Sequence, residues 1–407
     1  MGGEGGVTLA RGRVASLGAG GDGVTEDGVY IPFTVPGDEI AFEADGSRGR
    51  LAEILTPSPD RVQPPCPHFG VCGACQLQHV SGDVYRDWKR DQVVRALAQA
   101  GLDTPVGALV DAHGEGRRRV TLAVKHGVAG YHRRASHEVM PVETCPILAP
   151  GLEGAIGFAR ALAAEIPDKW VSLLLTATLS GMDADIKGPL HGNARLNARL
   201  ASLAQAHGLA RLTAEREPVA LYRSPQIGVG AVAMLTLPPG AFLQATAKGE
   251  EVLAGLVLDG VKRARKVADL FCGVGPFAIR LAARAQVYAA DSDADAVAAL
   301  RKAVAVPGFK PVHAERRDLF RRPLSPPELE AFDAVVFDPA FDGAAAQAAE
   351  LARSRVPRIV AVSCNPVTFA RDARLLVDGG YALTRVTPVD QFLYSSHVEL
   401  VAQFERQ

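Results

Sequence analysis

Lys266-Val267-Ala268-Asp269-Leu270-Phe271-Cys272-Gly273-Val274-Gly275-Pro276-Phe277, running on into Ala278-Ile279-Arg280-Leu281-Ala282, decides the fold of the C-terminal half. An apolar run of strand length gives way to a turn with two glycines and then to a helical pattern led by proline. Gly273 and Gly275 let the backbone turn sharply and approach a ligand without a Cβ clash, and Pro276 suits the first turn of a helix. The next strand, Gln286-Val287-Tyr288-Ala289-Ala290, ends at Asp291. That acid stands about twenty residues beyond the start of the turn, where a carboxylate reaches ribose hydroxyls. Strand, glycine turn, helix and acid make a nucleotide-cofactor fold, an arrangement that NAD enzymes share. Here, however, position 278 is Ala, so the third glycine of a dinucleotide fingerprint is missing.

Further motifs lie around this turn. Upstream is Phe242-Leu243-Gln244. Downstream, Asp318 in Arg317-Asp318-Leu319-Phe320 follows a short strand at Pro311-Val312-His313, and Asp338 ends the apolar strand Ala334-Val335-Val336-Phe337. Ser363-Cys364-Asn365-Pro366 follows the strand-like Arg358-Ile359-Val360-Ala361-Val362, and Asp390-Gln391-Phe392 leads to His397-Val398-Glu399. A thiol placed where an apolar strand meets a polar turn can be exposed, oriented and ionised, as a nucleophile requires. Taken alone, Cys364 would read as a core cysteine and Glu399 as a surface carboxylate.

In this order the motifs resemble the RNA 5-methyluridine methyltransferases, and the glycine turn resembles the S-adenosylmethionine loop of class I methyltransferases. The resemblance implies a C-terminal α/β, Rossmann-like class I methyltransferase domain. It implies Cys364 as nucleophile, Glu399 as base, and cofactor contacts from Gln244, Phe271, Gly273, Gly275, Pro276, Asp291, Asp318 and Asp338. The chemistry needs these residue types. Carbon 5 of uracil is too weak a nucleophile to take a methyl group unaided, so a thiolate adds first to carbon 6 and pushes charge into an enolate. A base then removes the carbon 5 proton, and elimination frees the thiolate. Asp338 is expected to bridge the uracil ring and the cofactor pocket through hydrogen bonds. The chain departs from the family twice. Relatives usually read Asp-Pro-Pro-Arg where this chain has Asp338-Pro339-Ala340-Phe341, and a bidentate Arg has no substitute in Phe. Asp291 replaces the usual glutamate, keeping the charge and shortening the reach.

Four of the six cysteines form a second signal. Cys66, Cys72 and Cys75 make C-x5-C-x2-C, and Cys145 stands in Glu143-Thr144-Cys145-Pro146, all in turn-like segments rich in proline and glycine. Four thiolates complete a tetrahedral set, and spacing alone leaves zinc and an iron-sulfur centre both open. Disulfides fit less well, because no secretory signal precedes the cysteines and a nucleotide-fold enzyme belongs in a reducing compartment. The resemblance extends to the iron-sulfur branch of the family and implies a 4Fe-4S cluster of structural role. Cys272, inside the glycine turn, is expected to pack.

After a Gly-rich start at Met1 to Gly6, residues to about Leu55 carry short strands broken by turns such as Gly20-Gly21-Asp22-Gly23 and Pro36-Gly37-Asp38-Glu39, with a strand at Val29 to Phe33. This spacing suggests an OB-type barrel and resembles the RNA-binding TRAM domain, although the strands lack an aromatic platform for bases. The expected organisation is multidomain. Residues 1–58 form the OB-like β-barrel, residues 59–240 a central α+β domain with the cysteines, and residues 241–407 the methyltransferase. Arg117 to Tyr131 reads as the edge of the central domain, Val171 to Leu179 as a buried strand, and the helix from Val84 to Gly101 as a candidate to pack on the catalytic sheet. Helices at Ala155 to Ala164 and Leu196 to Ala206 serve as scaffold.

At 407 residues with 48% hydrophobic content the chain exceeds one domain and has ample material for cores. No run is long enough to span a bilayer, so a soluble, cytoplasmic monomer is expected. A net charge of -1 does not advertise nucleic-acid binding. Positive charge is local, at Arg117-Arg118-Arg119, Lys125, His132-Arg133-Arg134 and Lys262 to Lys266, where it can line a phosphate path. Barrel and cysteines together look most like enzymes acting on large-subunit ribosomal RNA. A transfer-RNA enzyme, a degenerate RNA-binding protein and a NAD oxidoreductase with an iron-sulfur centre are the alternatives.

Overall fold

The computed structural model describes residues 9–190 and 193–407; the Gly-rich start at Met1 to Gly6 lies outside the described residues. Strands Ala10–Leu17, Gly23–Thr25, Tyr30–Ile31, Glu39–Asp45 and Arg48–Thr56 close into a barrel, because the first strand pairs with both the second and the fourth. Val14, Ile31, Ile40 and Phe42 fill its interior, the period-2 side of each strand turned inward. The strand expected at Val29 to Phe33 shrinks to Tyr30–Ile31. Phe33 takes a left-handed φ of 63° and leaves the barrel, setting its ring edge-on to Phe69 at 5.4 Å.

The central sheet has seven strands, in the order Glu217–Leu221, Arg211–Ala214, Gly181–Lys187, Trp170–Thr178, Arg119–Lys125, Val128–His132 and Val139–Pro141. Helices Ala155–Glu165 and Ala194–Ala206 contribute Phe158, Leu162 and Leu200 to its core. Trp170–Thr178 is the buried central strand. The stretch read as strands, Arg117 to Tyr131, holds Arg119–Lys125 and most of Val128–His132, each paired on both sides. Val139–Pro141, too short to be marked by periodicity, is the edge strand beside them.

The catalytic sheet has eight strands, ordered Val312–Arg316, Gln286–Asp291, Lys266–Leu270, Ala334–Phe337, Arg358–Ser363, Glu399–Arg406, Tyr381–Asp390 and Val110–Asp111. The first five are parallel, and Glu399–Arg406 runs antiparallel between its neighbours. The inner parallel strands Ala334–Phe337 and Arg358–Ser363 are buried, largely apolar runs, whereas the edge strand Val312–Arg316 is polar and partly exposed. Helices Ala247–Val261, Pro276–Ala282 and Ala294–Ala303 pack one face through Leu253, Phe277 and Leu300. Helices Gly82–Gln99, Ala345–Ala352 and Pro366–Asp378 pack the other through Leu97, Leu351 and Phe369. The helix after the cysteines thus joins the catalytic layer, as its sequence suggested. No helix among the described residues is long and apolar enough to cross a membrane.

Candidate active site and cysteine centre

Strand order reverses between Lys266–Leu270 and Ala334–Phe337, and the carboxyl ends of the parallel strands open a crevice there. Phe271, Asp291, Asp338 and Cys364 each follow or end one of these strands, so the fold gathers at one rim residues spread over almost a hundred positions. Antiparallel pairing positions the candidate base. Ser363 is the register partner of Leu400, which sets Glu399, the first residue of its strand, beside Cys364.

The cofactor side is built on the glycine turn. Gly273 and Gly275 adopt left-handed φ values of 52° and 85°. A Cβ on Gly273 would meet no atom within 4 Å, whereas one on Gly275 would strike Leu300 at 2.5 Å. Gly273 therefore faces open space that a ligand can fill, and Gly275 makes room for a neighbouring helix. Pro276 opens the helix that follows. Asp291 locks the turn by accepting from the Gly273 N–H at 2.8 Å and from the Asp293 N–H at 2.8 Å. Asp318 accepts from the backbone N–H of Phe320, whose exposed ring lies 5.2 Å from that of Phe271. Phe271 itself holds a left-handed φ of 60°. Behind the turn, Asp269 is fully buried, with the Ala278 backbone as its nearest hydrogen-bond donor. Burial, and then the charge of Asp338, push this group well above the ordinary carboxylate range. A pair of aromatic rings, two carboxylates on adjacent strand ends and an open glycine suit a nucleoside.

The catalytic side is a relay of four side chains. The Gln391 amide donates to Glu399 at 2.8 Å and to the Gln244 carbonyl oxygen at 2.7 Å, and the Gln244 amide donates to Asp338 at 3.0 Å. The orientation is dictated, because the Gln391 oxygen accepts the Ala245 backbone N–H at 2.9 Å. Each buried carboxylate thereby receives one amide N–H. Burial first, then the charge of Asp338, push the Glu399 carboxyl up to about 8, and the Gln391 hydrogen bond opposes them. Burial likewise lifts Asp338, against the hydrogen bond from Gln244. The two ionise as a pair. Cys364 is half-buried, and burial together with Glu399 and Asp338 pushes its thiol up to about 12. Burial and the neighbouring carboxylates thus favour the protonated thiol, and a positive charge or proton acceptor brought beside it would favour the thiolate.

The structure brings Gln244, Asp338, Cys364 and Glu399 together, and adds Gln391, to which the sequence reading gave no role. Its position between two acidic motifs was the available signal. The basic runs divide. Arg118 turns inward to Glu250 at 2.5 Å, and Arg280 reaches the same carboxylate at 2.9 Å, which makes Arg118 a structural cation. Arg133 and Arg134 pair with Glu138 and Asp22. Lys262 pairs with Glu405, and Lys262 to Lys266 lie at the start of a sheet strand, away from the crevice. Arg117 and Arg119 have no carboxylate partner among the described residues, and their guanidinium groups sit 5.8 Å over Phe392 and 5.5 Å over Phe242.

Cys66, Cys72, Cys75 and Cys145 all line one small cavity with Tyr131 and Ile147, and all four are free thiols. The Tyr131 hydroxyl donates to the Cys145 sulfur at 3.5 Å. Burial first, and then proximity to one another, raise the thiols of Cys72, Cys75 and Cys145, that of Cys75 to about 11. Among the described residues no group of three or more His, Cys, Asp or Glu side chains is arranged to hold a metal ion. The four sulfurs line one cavity, and their residue type suits zinc and an iron-sulfur centre alike.

Residues 235–359 match the family described as methyltransferase small domain. An uncharacterized RNA methyltransferase of Brucella suis is 46% identical over 96% of this chain and 96% of its own length. The 23S rRNA (uracil(1939)-C(5))-methyltransferase RlmD of Pectobacterium atrosepticum is 30% identical over 96% of this chain and 92% of its own. In fold, the chain resembles the Pyrococcus abyssi tRNA (uracil-54, C5)-methyltransferase in complex with S-adenosyl-L-homocysteine, with a TM-score of 0.75, 24% identity and coverage of 97% and 99%. With relatives at these identities along nearly its whole length, and with the geometry above, the chain belongs to the family of S-adenosylmethionine-dependent RNA (uracil-5)-methyltransferases.

Proposed function

We propose that the enzyme methylates carbon 5 of one uridine in large-subunit ribosomal RNA, with Cys364 as nucleophile and Glu399 as base. The observation that carries this reading is the pairing of Cys364 and Glu399 across adjacent strands, with Gln391 holding the carboxylate. Bound S-adenosylmethionine supplies the methyl group and a positive sulfonium. Gly273, Gly275, Pro276, Phe271, Asp291 and Asp318 would hold its nucleoside end, with Gln244 and Asp338 facing its reactive end. Cys364 would give up its proton to solvent and its sulfur would add to carbon 6 of uracil; carbon 5 of the resulting enolate would take the methyl group as the methyl–sulfonium bond breaks and S-adenosylhomocysteine leaves. Glu399 takes the carbon 5 proton, the carbon–sulfur bond breaks and the thiolate is restored. Ribosomal RNA is favoured by the identity to RlmD together with the N-terminal barrel, here read as RNA-binding.

The cysteine cavity fits a 4Fe-4S cluster by its donor chemistry. Four free thiols line one cavity without a disulfide, and burial raises those of Cys72, Cys75 and Cys145, a cost that a bound cation would offset. Its role on this reading is structural. Mapping 5-methyluridine in ribosomal and transfer RNA from a deletion strain tests the substrate. Loss at one ribosomal position supports it, loss in transfer RNA redirects it, and no loss anywhere leaves an RNA-binding protein with an idle domain.

A further inference from the structure

We propose that Phe341, His397 and Phe392 form a stacking platform for the nucleobase next to the target uridine, with Arg117 meeting the adjoining phosphate. The inference rests on the reading of the site as one that acts on uracil in RNA.

Phe341 is 54% exposed, yet it stands at the rim of the catalytic crevice rather than on an outlying surface. Its carbonyl accepts from the Asn365 side-chain amide at 3.1 Å and from the Thr368 hydroxyl at 3.1 Å. Asn365 directly follows Cys364, so the Phe341 backbone is fastened to the nucleophile's own turn. Its ring meets that of His397 nearly perpendicularly, at 6.1 Å and 87°. His397 in turn meets Phe392 at 5.9 Å, and the Arg117 guanidinium lies 5.8 Å over Phe392. Three rings and an unpaired cation thus form one string, beginning beside Cys364 and passing two residues ahead of Glu399.

The chemistry asks for such a string. A uracil attacked at carbon 6 has to leave its stack so that a thiolate can approach the ring face, and its neighbours lose a stacking partner. Proteins that take unpaired RNA return that stacking on aromatic faces and pair the backbone with arginine. Phe341 contributes little to any core at this exposure, so its removal leaves the fold standing. It also occupies the position where an arginine was expected, so the contact there changes from ionic to stacking.

The test uses the full-length enzyme and an RNA fragment around the uridine that it methylates, with 2-aminopurine beside that uridine. Phe341→Ala should raise KM for the fragment by about fivefold to a hundredfold, the range for one lost base–aromatic stack. Calorimetric S-adenosylmethionine affinity and thermal unfolding should stay unchanged. Quenching of 2-aminopurine on binding should weaken in Phe341→Ala and persist in Phe341→Tyr, which keeps the ring. If Phe341→Ala kept both wild-type KM and wild-type quenching, the platform would be refuted while the uracil reading stood. If the wild-type enzyme formed no 5-methyluridine in RNA from a deletion strain, the uracil reading would fail and the platform with it.

Discussion

Gln391→Leu separates the relay from the residues it serves. In the folded enzyme the Gln391 amide is the hydrogen-bond donor to Glu399, and its oxygen is fixed by the Ala245 N–H. Leucine keeps the approximate volume and removes the donor. A hydrogen bond to a buried charged group contributes about 1.5–3 kcal/mol, and one pH unit corresponds to about 1.4 kcal/mol. The Glu399 carboxyl, already pushed up to about 8, should therefore titrate about one to two pH units higher in the variant. Only the ionised carboxylate can accept the carbon 5 proton, so the acid limb of the rate moves toward alkaline pH. Near neutrality the step should slow by about tenfold to a hundredfold and recover as pH rises. The measurement is single-turnover release of tritium from carbon 5 of uridine-labelled RNA across pH, which isolates this step from RNA release. An acid limb superimposable on that of the wild type would refute the claim that Gln391 tunes the base.

Three further outcomes follow from the geometry. Cys364→Ala should give neither methylation nor covalent RNA, whereas Glu399→Gln should accumulate a methylated protein–RNA adduct on denaturing gels, because addition and transfer precede the blocked proton loss; wild-type turnover in either variant would break the mechanism at that step. Gly273→Ala should weaken S-adenosylmethionine by at least about tenfold in calorimetry with a modest loss of stability, since its Cβ enters open space at φ 52°, and it is a cleaner probe than Gly275→Val, whose Cβ would also strike Leu300. Anaerobically purified protein should carry about four irons and four sulfides per chain and lose them in Cys145→Ser, and stoichiometric zinc without sulfide would overturn the cluster.

The parallel sheet was legible because buried strands are written as unbroken apolar runs, and the glycine turn because positive φ at 273 and 275 restricts the residue type. Cys364 and Glu399 were legible only through their motifs, since nothing local in the sequence says that Ser363 and Leu400 are register partners. Three features escaped. The two-residue strand Val110–Asp111 is too short for any period. The inward turn of Arg118 depends on Glu250, which is 132 positions away. Gln391 is a neutral residue whose importance comes from two partners distant in sequence and one nearby.

The segment from Gln391 to Val398 has to hold the relay without regular secondary structure of its own, so its stiffness must come from what surrounds it. Asp390, just ahead of it, is almost wholly buried and is met by Lys89 at 2.5 Å, the Tyr85 hydroxyl at 2.7 Å and His113 at 2.8 Å. These contacts hold its carboxyl down at about 2 despite burial. Lys89 also donates to the Phe392 carbonyl at 2.9 Å, and the Tyr394 N–H donates to the Tyr85 hydroxyl at 3.0 Å. On the far side, the backbone N–H groups of Gln76 and Leu77, immediately after Cys75, donate to the Tyr394 carbonyl at 2.8 and 3.2 Å. The cysteine segment and the helix behind it therefore grip the loop that carries Gln391 and delivers Glu399. Lys89→Met makes the dependence measurable. Loss of the cation leaves the buried carboxylate to Tyr85, His113 and the Phe392 N–H, a change that costs at most about 3–5 kcal/mol. The loop should loosen, with faster amide exchange at Phe392 and Tyr394 and a slower proton-removal step, while exchange in the glycine turn at 273–275 stays as in the wild type. Unchanged exchange at Phe392 and Tyr394 would show that the loop is held by something other than this buried pair.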